Sequence, residues 1–253
     1  MVSLNLNGKR ALVTGGSRGI GRAVSLMLAR SGAHVGVSYQ NRADPATALV
    51  TELRALGVKA FAEAGDIADE QRADRLIERT VSELGGLDIY VGNAGVWPPQ
   101  YVGIEAMTSE QWRRTIAVNL DSIFYTTRAA ARVMSDGGRI VLVSSTAGQR
   151  GEAGHVDYAA SKGAMISMVK GLCIELAPRQ ITVNSVAPGW VDTEMAAEPY
   201  ASGGRAQIEA NIPLKRVATA EDIAGPVVFL CSELARHITG EIMNVNGGSV
   251  LCG

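Results

Sequence analysis

Short apolar runs recur along the chain, separated by longer amphipathic stretches. RALVT (10–14), HVGVSY (34–39), VKAFAE (58–63), LDIYVG (87–92), RIVLVS (139–144), ITVNSV (181–186) and IMNV (242–245) have strand length, and each predicts a strand buried on both faces. The stretches 19–31, 69–84, 109–134 and 157–177 carry apolar residues three and four apart, the repeat of a helix with a packed face. Repeated strand-helix order builds a parallel sheet, because parallel neighbours need a crossover and the crossover helices cover the sheet. The expected fold class is therefore α/β, a doubly wound parallel sheet of about seven strands with helices on both faces. No linker, repeat or low-complexity tract interrupts it, so 1–253 reads as a single domain. One stretch departs from the pattern. Residues 189–213, GWVDTEMAAEPYASGGRAQIEANIP, are long, weakly periodic and glycine-containing, as a lid over a site would be.

Composition narrows the function classes. With 47% hydrophobic residues, 253 residues bury a sizeable core. Lysine and arginine total 24 against 25 acidic residues, so no net field favours nucleic acid or an anionic membrane as partner. Cys173, Cys231 and Cys252 form no CxxC pair, and His34, His155 and His237 lack metal-ligand spacing. Neither a disulfide framework nor a metal site is expected. MVSLNLNGKR holds no signal-like apolar run, and nowhere do about 18 apolar residues stand together, so the expected compartment is the cytoplasm. Glycine is over-represented, with 29 residues. Some backbone must turn sharply or approach a ligand closely.

TGGSRGIG (14–21) follows the first strand and opens the first helix. Gly15, Gly19 and Gly21 let such a turn tighten and bring the helix N-terminus to a pyrophosphate, so a Rossmann-like dinucleotide site is expected here, with Ser17, Arg18 and Ile20 in the same loop. The spacing is GxxxGxG rather than GxGxxG. The second strand ends in Ser38, Tyr39, Gln40, Asn41 and Arg42, with no carboxylate to hold a ribose 2′-hydroxyl. Arg18 and Arg42 could both reach a 2′-phosphate, which makes NADP(H) the first expectation and NAD(H) the alternative. GDI (65–67) and GNAG (92–95) each follow a strand, where loops line the crevice of an open parallel sheet. Asp66, beside Ile67, is expected at the adenine amino group or else as a helix cap, and Asn93, Ala94 and Gly95 offer backbone to the adenosine ribose.

VDYAASKG (156–163) sets Tyr158 and Lys162 on one helix face. A free phenol titrates near ~10, and a nearby cation favours the phenolate. Ser145, directly after RIVLVS, could bond a substrate carbonyl oxygen, with Ser144 as competitor. Asn119 lies within a helical pattern where asparagine is a poor former. A local bulge there would free it to hold water near Lys162; a plain buried amide is the other reading.

Taken together, TGxxxGxG, GNAG, Asn119, Ser145, Tyr158 with Lys162, VAPGWVDTEM (186–195) and ITGEIMNVNGG (238–248) resemble the short-chain dehydrogenase/reductase family over nearly the whole chain. The resemblance implies Tyr158 as general acid/base, Ser145 polarising a carbonyl, Lys162 lowering the tyrosine pKa and holding the nicotinamide ribose, and Asn119 anchoring a relay water. Pro188, Gly189, Val191 and Thr193 would flank the nicotinamide. Gly92 departs from the family's NNAG. The chain looks most like the 3-oxoacyl-acyl-carrier-protein reductase branch, whose carrier-facing basic positions include Arg179. A second basic patch is replaced here by Met134, Ser135, Asp136 and Gly137, and an acidic residue there would repel an acidic carrier. Trp97, His155, Trp190, Met195 and Tyr200 suggest an apolar or aromatic substrate pocket, leaving a small ketone, sugar or polyol as alternatives. A non-catalytic cofactor sensor is the distant reading, since all four catalytic positions are kept. The family implies a homotetramer through 109–134 and 157–177, and GAMISMVKGLCIEL (163–176) is apolar over more than one face.

Overall fold

A computed structural model describes residues 4–251. Cys252 lies outside them, and Cys173 and Cys231 are free thiols. Seven strands form one sheet: β1 (Arg10–Val13), β2 (His34–Tyr39), β3 (Ala60–Ala64), β4 (Ile89–Gly92), β5 (Arg139–Val143), β6 (Thr182–Pro188) and β7 (Ile242–Val245). All pairs are parallel, in the order β3-β2-β1-β4-β5-β6-β7. The helices are α1 (Gly19–Arg30), α2 (Ala43–Ala55), α3 (Glu70–Leu84), α4 (Ser109–Ile116), α5 (Ser122–Val133), α6 (Thr146–Arg150), α7 (Val156–Glu175), α8 (Ala197–Tyr200), α9 (Gly204–Asn211) and α10 (Ala220–Leu230).

Alternation along the strands divides the core between two faces. Ala11 and Val13 of β1 join Val24, Leu28, Leu49, Ile223 and Val227 on the side of α1, α2 and α10. Leu12, between them, joins Leu76, Ile77, Tyr90, Ile123, Met165 and Val169 on the side of α3, α5 and α7. Burial on both faces holds for β4, β5 and β6. It fails at the sheet edges: Ala64 ends β3 exposed, and Asn244 of β7 is exposed, because an edge strand has only one neighbour to cover it.

The pattern at 109–134 is not one helix. Thr108 caps α4 by accepting a hydrogen bond from the Gln111 N–H, and a π turn at Ala117–Asp121 separates α4 from α5. Two short helices, α8 and α9, occupy the weakly periodic 189–213 stretch. Helix α10, with Gly225 and Pro226 in its middle, starts from a reciprocal cap between Thr219 and Asp222 and packs against α1. Among the described residues no helix is long and apolar enough to cross a membrane.

The strand order reverses between β1 and β4, so crossovers leave in opposite directions and a crevice opens above their carboxyl ends. The turns after β1, β2, β3, β4, β5 and β6 meet there.

Candidate active site

A cavity of about 1090 Å³ lies in that crevice, at the upper end of the ~300–1,000 Å³ usual for ligand pockets. Its first wall is the turn from β1 to α1. Gly19 sits at φ +51°, a left-handed conformation that favours glycine, and a Cβ on Gly21 would fall 2.3 Å from the Gly15 carbonyl oxygen. The turn is braced from β4: the Asn93 side-chain amide donates to the Thr14 and Gly15 carbonyls at 3.0 and 3.2 Å. The Thr14 hydroxyl oxygen accepts from the Asn93 and Ala94 N–H groups at 3.0 and 3.1 Å, and the Ser38 hydroxyl oxygen accepts from Gly15 N–H. The Asn93 and Ala94 N–H groups are therefore committed to Thr14 rather than to a ribose. Helix α1 begins without a side-chain cap and without an acidic residue in its first turn, which leaves its N-terminal dipole for an anion in the cavity.

At the far end of this wall Arg18 and Arg42 converge. Both guanidinium groups bond one oxygen of Glu194, at 3.0 and 2.8 Å. Asp66 and Ile67 line the same region. One Asp66 carboxylate oxygen accepts from Ala68 N–H at 3.0 Å, while the N-cap of α3 is Asp69. Asp66 is thus a turn former with an oxygen left over, not the helix cap.

The opposite wall carries the reactive side chains. Ser145 caps the short α6, its hydroxyl oxygen accepting from Ala147 N–H at 3.1 Å, and it lines the cavity together with Tyr158. Its competitor Ser144 is buried in the sheet, bonded to Ser185 and to the Val186 carbonyl. Tyr158 and Lys162 project from one face of α7, with the lysine nitrogen 5.9 Å from the phenol ring centroid. Lys162 donates to the Val143 carbonyl at 2.8 Å. The electrostatics reverse the expected sign. Desolvation, outweighing the opposing effect of the Ser145 hydroxyl and assisted by the Glu152 charge, pushes Tyr158 up to about 12. Lys162 itself is pushed down to about 8 by burial. The π turn is the bulge expected at Asn119, but it does not free the side chain: Asn119 accepts from Val96 N–H at 2.7 Å and donates to the Val96 carbonyl and Ser161. It clamps the chain beneath Gly95.

Of the residues expected at the site, Ser17, Gly95, Pro188, Gly189, Val191, Thr193, Trp97, Trp190 and Met195 line the cavity together with those above. Gly21, Asn119, His155 and Tyr200 do not. Gly21 packs under the turn, and the His155 ring stacks behind Trp97 at 4.7 Å, so it supports the wall without forming it. Trp190 meets Trp97 edge-on at 5.8 Å and Tyr200 at 5.9 Å, an aromatic rim beside Ser145 and Tyr158. Glu152, Glu194, Ser249 and Val250 were not foreseen; each reaches the site only through the tertiary fold.

A family model described as enoyl-(acyl carrier protein) reductase matches residues 15–249. The 3-oxoacyl-[acyl-carrier-protein] reductase of Staphylococcus aureus is 38% identical over 95% of this chain and 97% of its own. A short-chain dehydrogenase/reductase from Serratia marcescens superposes with a TM-score of 0.91 at 40% identity, covering 96% of this chain and 98% of that one. This chain is a short-chain dehydrogenase/reductase. A short-chain dehydrogenase from Burkholderia cenocepacia, solved in complex with NADP, gives a TM-score of 0.91 at 38% identity over 97% and 99% of the two chains. Within the family pattern, the departure at Gly92 is filled by neighbours. A Cβ there would meet the Leu142 side chain at 2.7 Å and the Tyr90 hydroxyl at 3.2 Å, and that hydroxyl is already paired with Thr126.

Proposed function

We propose that this short-chain dehydrogenase/reductase is an NADP(H)-dependent reductase of ketones, with Tyr158 as the proton donor. The reading is carried by the cavity whose one end holds Ser145, Tyr158 and Lys162 and whose other end holds Arg18 and Arg42. The uncapped start of α1 and the glycine turn suit a pyrophosphate, and the paired arginines suit a 2′-phosphate. The relative solved with NADP supports the same choice over NAD(H).

When bound, the coenzyme supplies the hydride. The protein's own groups orient the carbonyl and manage the proton. Ser145 donates a hydrogen bond to the carbonyl oxygen and holds it beside the Tyr158 hydroxyl. A phenol pushed up to about 12 stays protonated at neutral pH, as a proton donor must. Its transfer to a developing alkoxide, a far stronger base than a phenolate, is downhill. Lys162, fixed by the Val143 carbonyl, is suited to hold the nicotinamide ribose, and Asn119 keeps the loop after β4 in place at Val96. Residues 189–213 act as the lid.

The substrate class indicated by the relatives' names is a 3-oxoacyl thioester. A second reading, a free ketone with an apolar or aromatic body, is favoured by the Trp97–Trp190–Tyr200 rim and by Arg179. That arginine pairs with Asp136 at 3.0 Å, which neutralises a position expected to meet an acidic carrier. Initial rates with NADPH and NADH against a 3-oxoacyl thioester and aryl ketones separate these readings. Tyr158→Phe should lower turnover at least ~100-fold with coenzyme affinity nearly unchanged. Retained turnover would overturn the assignment.

A further inference from the structure

The segment 189–213 ties mainly to itself and to its own side of the cleft. Tyr200 donates to the Val191 carbonyl at 3.0 Å, Arg205 pairs with Asp192 and Glu209, and Asp192 N–H reaches the Ala218 carbonyl. Among the described residues, the ion pairs that join this segment to the glycine turn and the end of β2 are those of Glu194, through one carboxylate oxygen shared by Arg18 and Arg42. A carboxylate thus occupies the point where two guanidinium groups from the glycine turn and from the end of β2 converge. Arginine forks bind carboxylate and phosphate by the same charge-assisted geometry. Two anions cannot share that point.

We propose that Glu194 is a coenzyme-specificity residue: it competes with the 2′-phosphate of NADP(H) for Arg18 and Arg42, and so weakens the binding of 2′-phosphorylated nucleotides selectively. This rests on the NADP(H) reading given above. A nucleotide without the 2′-phosphate has no claim on the two arginines and leaves the Glu194 pair intact. The carboxylate therefore sets the ratio between the two coenzymes while touching neither the hydride nor the proton. All three side chains are more than half exposed, so the competition is partial rather than exclusive.

The test is calorimetric titration of the full chain at low ionic strength with adenosine 2′,5′-bisphosphate and with 5′-AMP, which differ only in the 2′-phosphate. Glu194→Gln should tighten the bisphosphate by about 2- to 5-fold, the scale of one exposed charge interaction, and leave 5′-AMP unchanged. Glu198→Gln, which removes a neighbouring lid charge that lines the cavity without an ion pair to either arginine, should leave both affinities unchanged. Equal tightening of both nucleotides, no tightening of either, or the same gain in Glu198→Gln would overturn the proposal. Arg42→Ala separates its failure from that of the underlying reading. Loss of bisphosphate affinity in Arg42→Ala with no gain in Glu194→Gln rejects the role of Glu194 alone. A bisphosphate that binds wild type no better than 5′-AMP and is indifferent to Arg42→Ala rejects the NADP(H) reading and the inference with it.

Discussion

Tyr158 and Lys162 stand a helical turn apart, but the pairing read from that spacing does not by itself make an acidic phenol. Burial works on both groups, raising the tyrosine and lowering the lysine, and the negative Glu152 adds to the first effect. Removing that charge should shift the phenol downward. Glu152→Gln is therefore expected to show a larger phenolate fraction at any alkaline pH, measured as difference absorbance against the same enzyme carrying Tyr158→Phe. Lys162 makes a second expectation. Its folded value of about 8 lies below the ordinary lysine value of 10.5, so the unfolded chain holds the proton more tightly. The resulting stability is present above the unfolded value and is lost as pH falls through about 8. Urea unfolding should show wild type gaining on Lys162→Met as pH rises from about 8 towards 10, and a flat difference would contradict the burial of the charge.

At the scale of elements, the turn between β1 and α1 and the π turn between α4 and α5 hold the two walls at their distance. Each is a place where the regular pattern is broken for the sake of the site. In the first, Gly21 lets the helix pack against the Gly15 carbonyl, where a Cβ would sit at 2.3 Å. Gly21→Ala should cost about 1–3 kcal/mol in urea unfolding, the range of overpacked positions, because the obstacle is backbone and cannot rotate away. In the second, asparagine's poor helix propensity marked the position of the bulge, but the amide's actual partners could not be read from the chain. Val96 lies 23 residues before Asn119, and Ser161 lies 42 after it. Strand boundaries shifted by a residue or two for a related reason: β3 runs from Ala60 because its first paired residue is set by Val35 of β2. Helix α10 runs through Gly225 and Pro226, two poor helix formers, because its capping box and its packing on α1 outweigh their propensity.

For the whole molecule, Trp112 of α4, Phe124 and Val133 of α5 and Ile174 of α7 remain exposed at 41%, 45%, 43% and 74%. These apolar side chains lie on the helices expected to pair subunits, and Arg128 stacks over Phe124 at 5.1 Å. A homotetramer that covers them is our proposal for the assembly. Sedimentation at micromolar concentration should give a mass near four chains, and Phe124→Glu should shift it to smaller species; a wild-type monomer would remove the proposal.

What the chain determined by itself is local and periodic. The order of strands and helices follows from the spacing of apolar residues, and Tyr158 faces with Lys162 because a helix returns to the same side every three to four residues. The glycines of 14–21 likewise announced a turn that side chains would block. Only the tertiary structure decided which distant groups meet there. Glu194 lies 176 residues from Arg18 and 152 from Arg42, and Thr14 lies 79 residues from the Asn93 it braces. No local period encodes such meetings. They follow from a sheet order that gathers the carboxyl ends of separate strands at one crevice, and from the burial there that sets the charges of Tyr158 and Lys162.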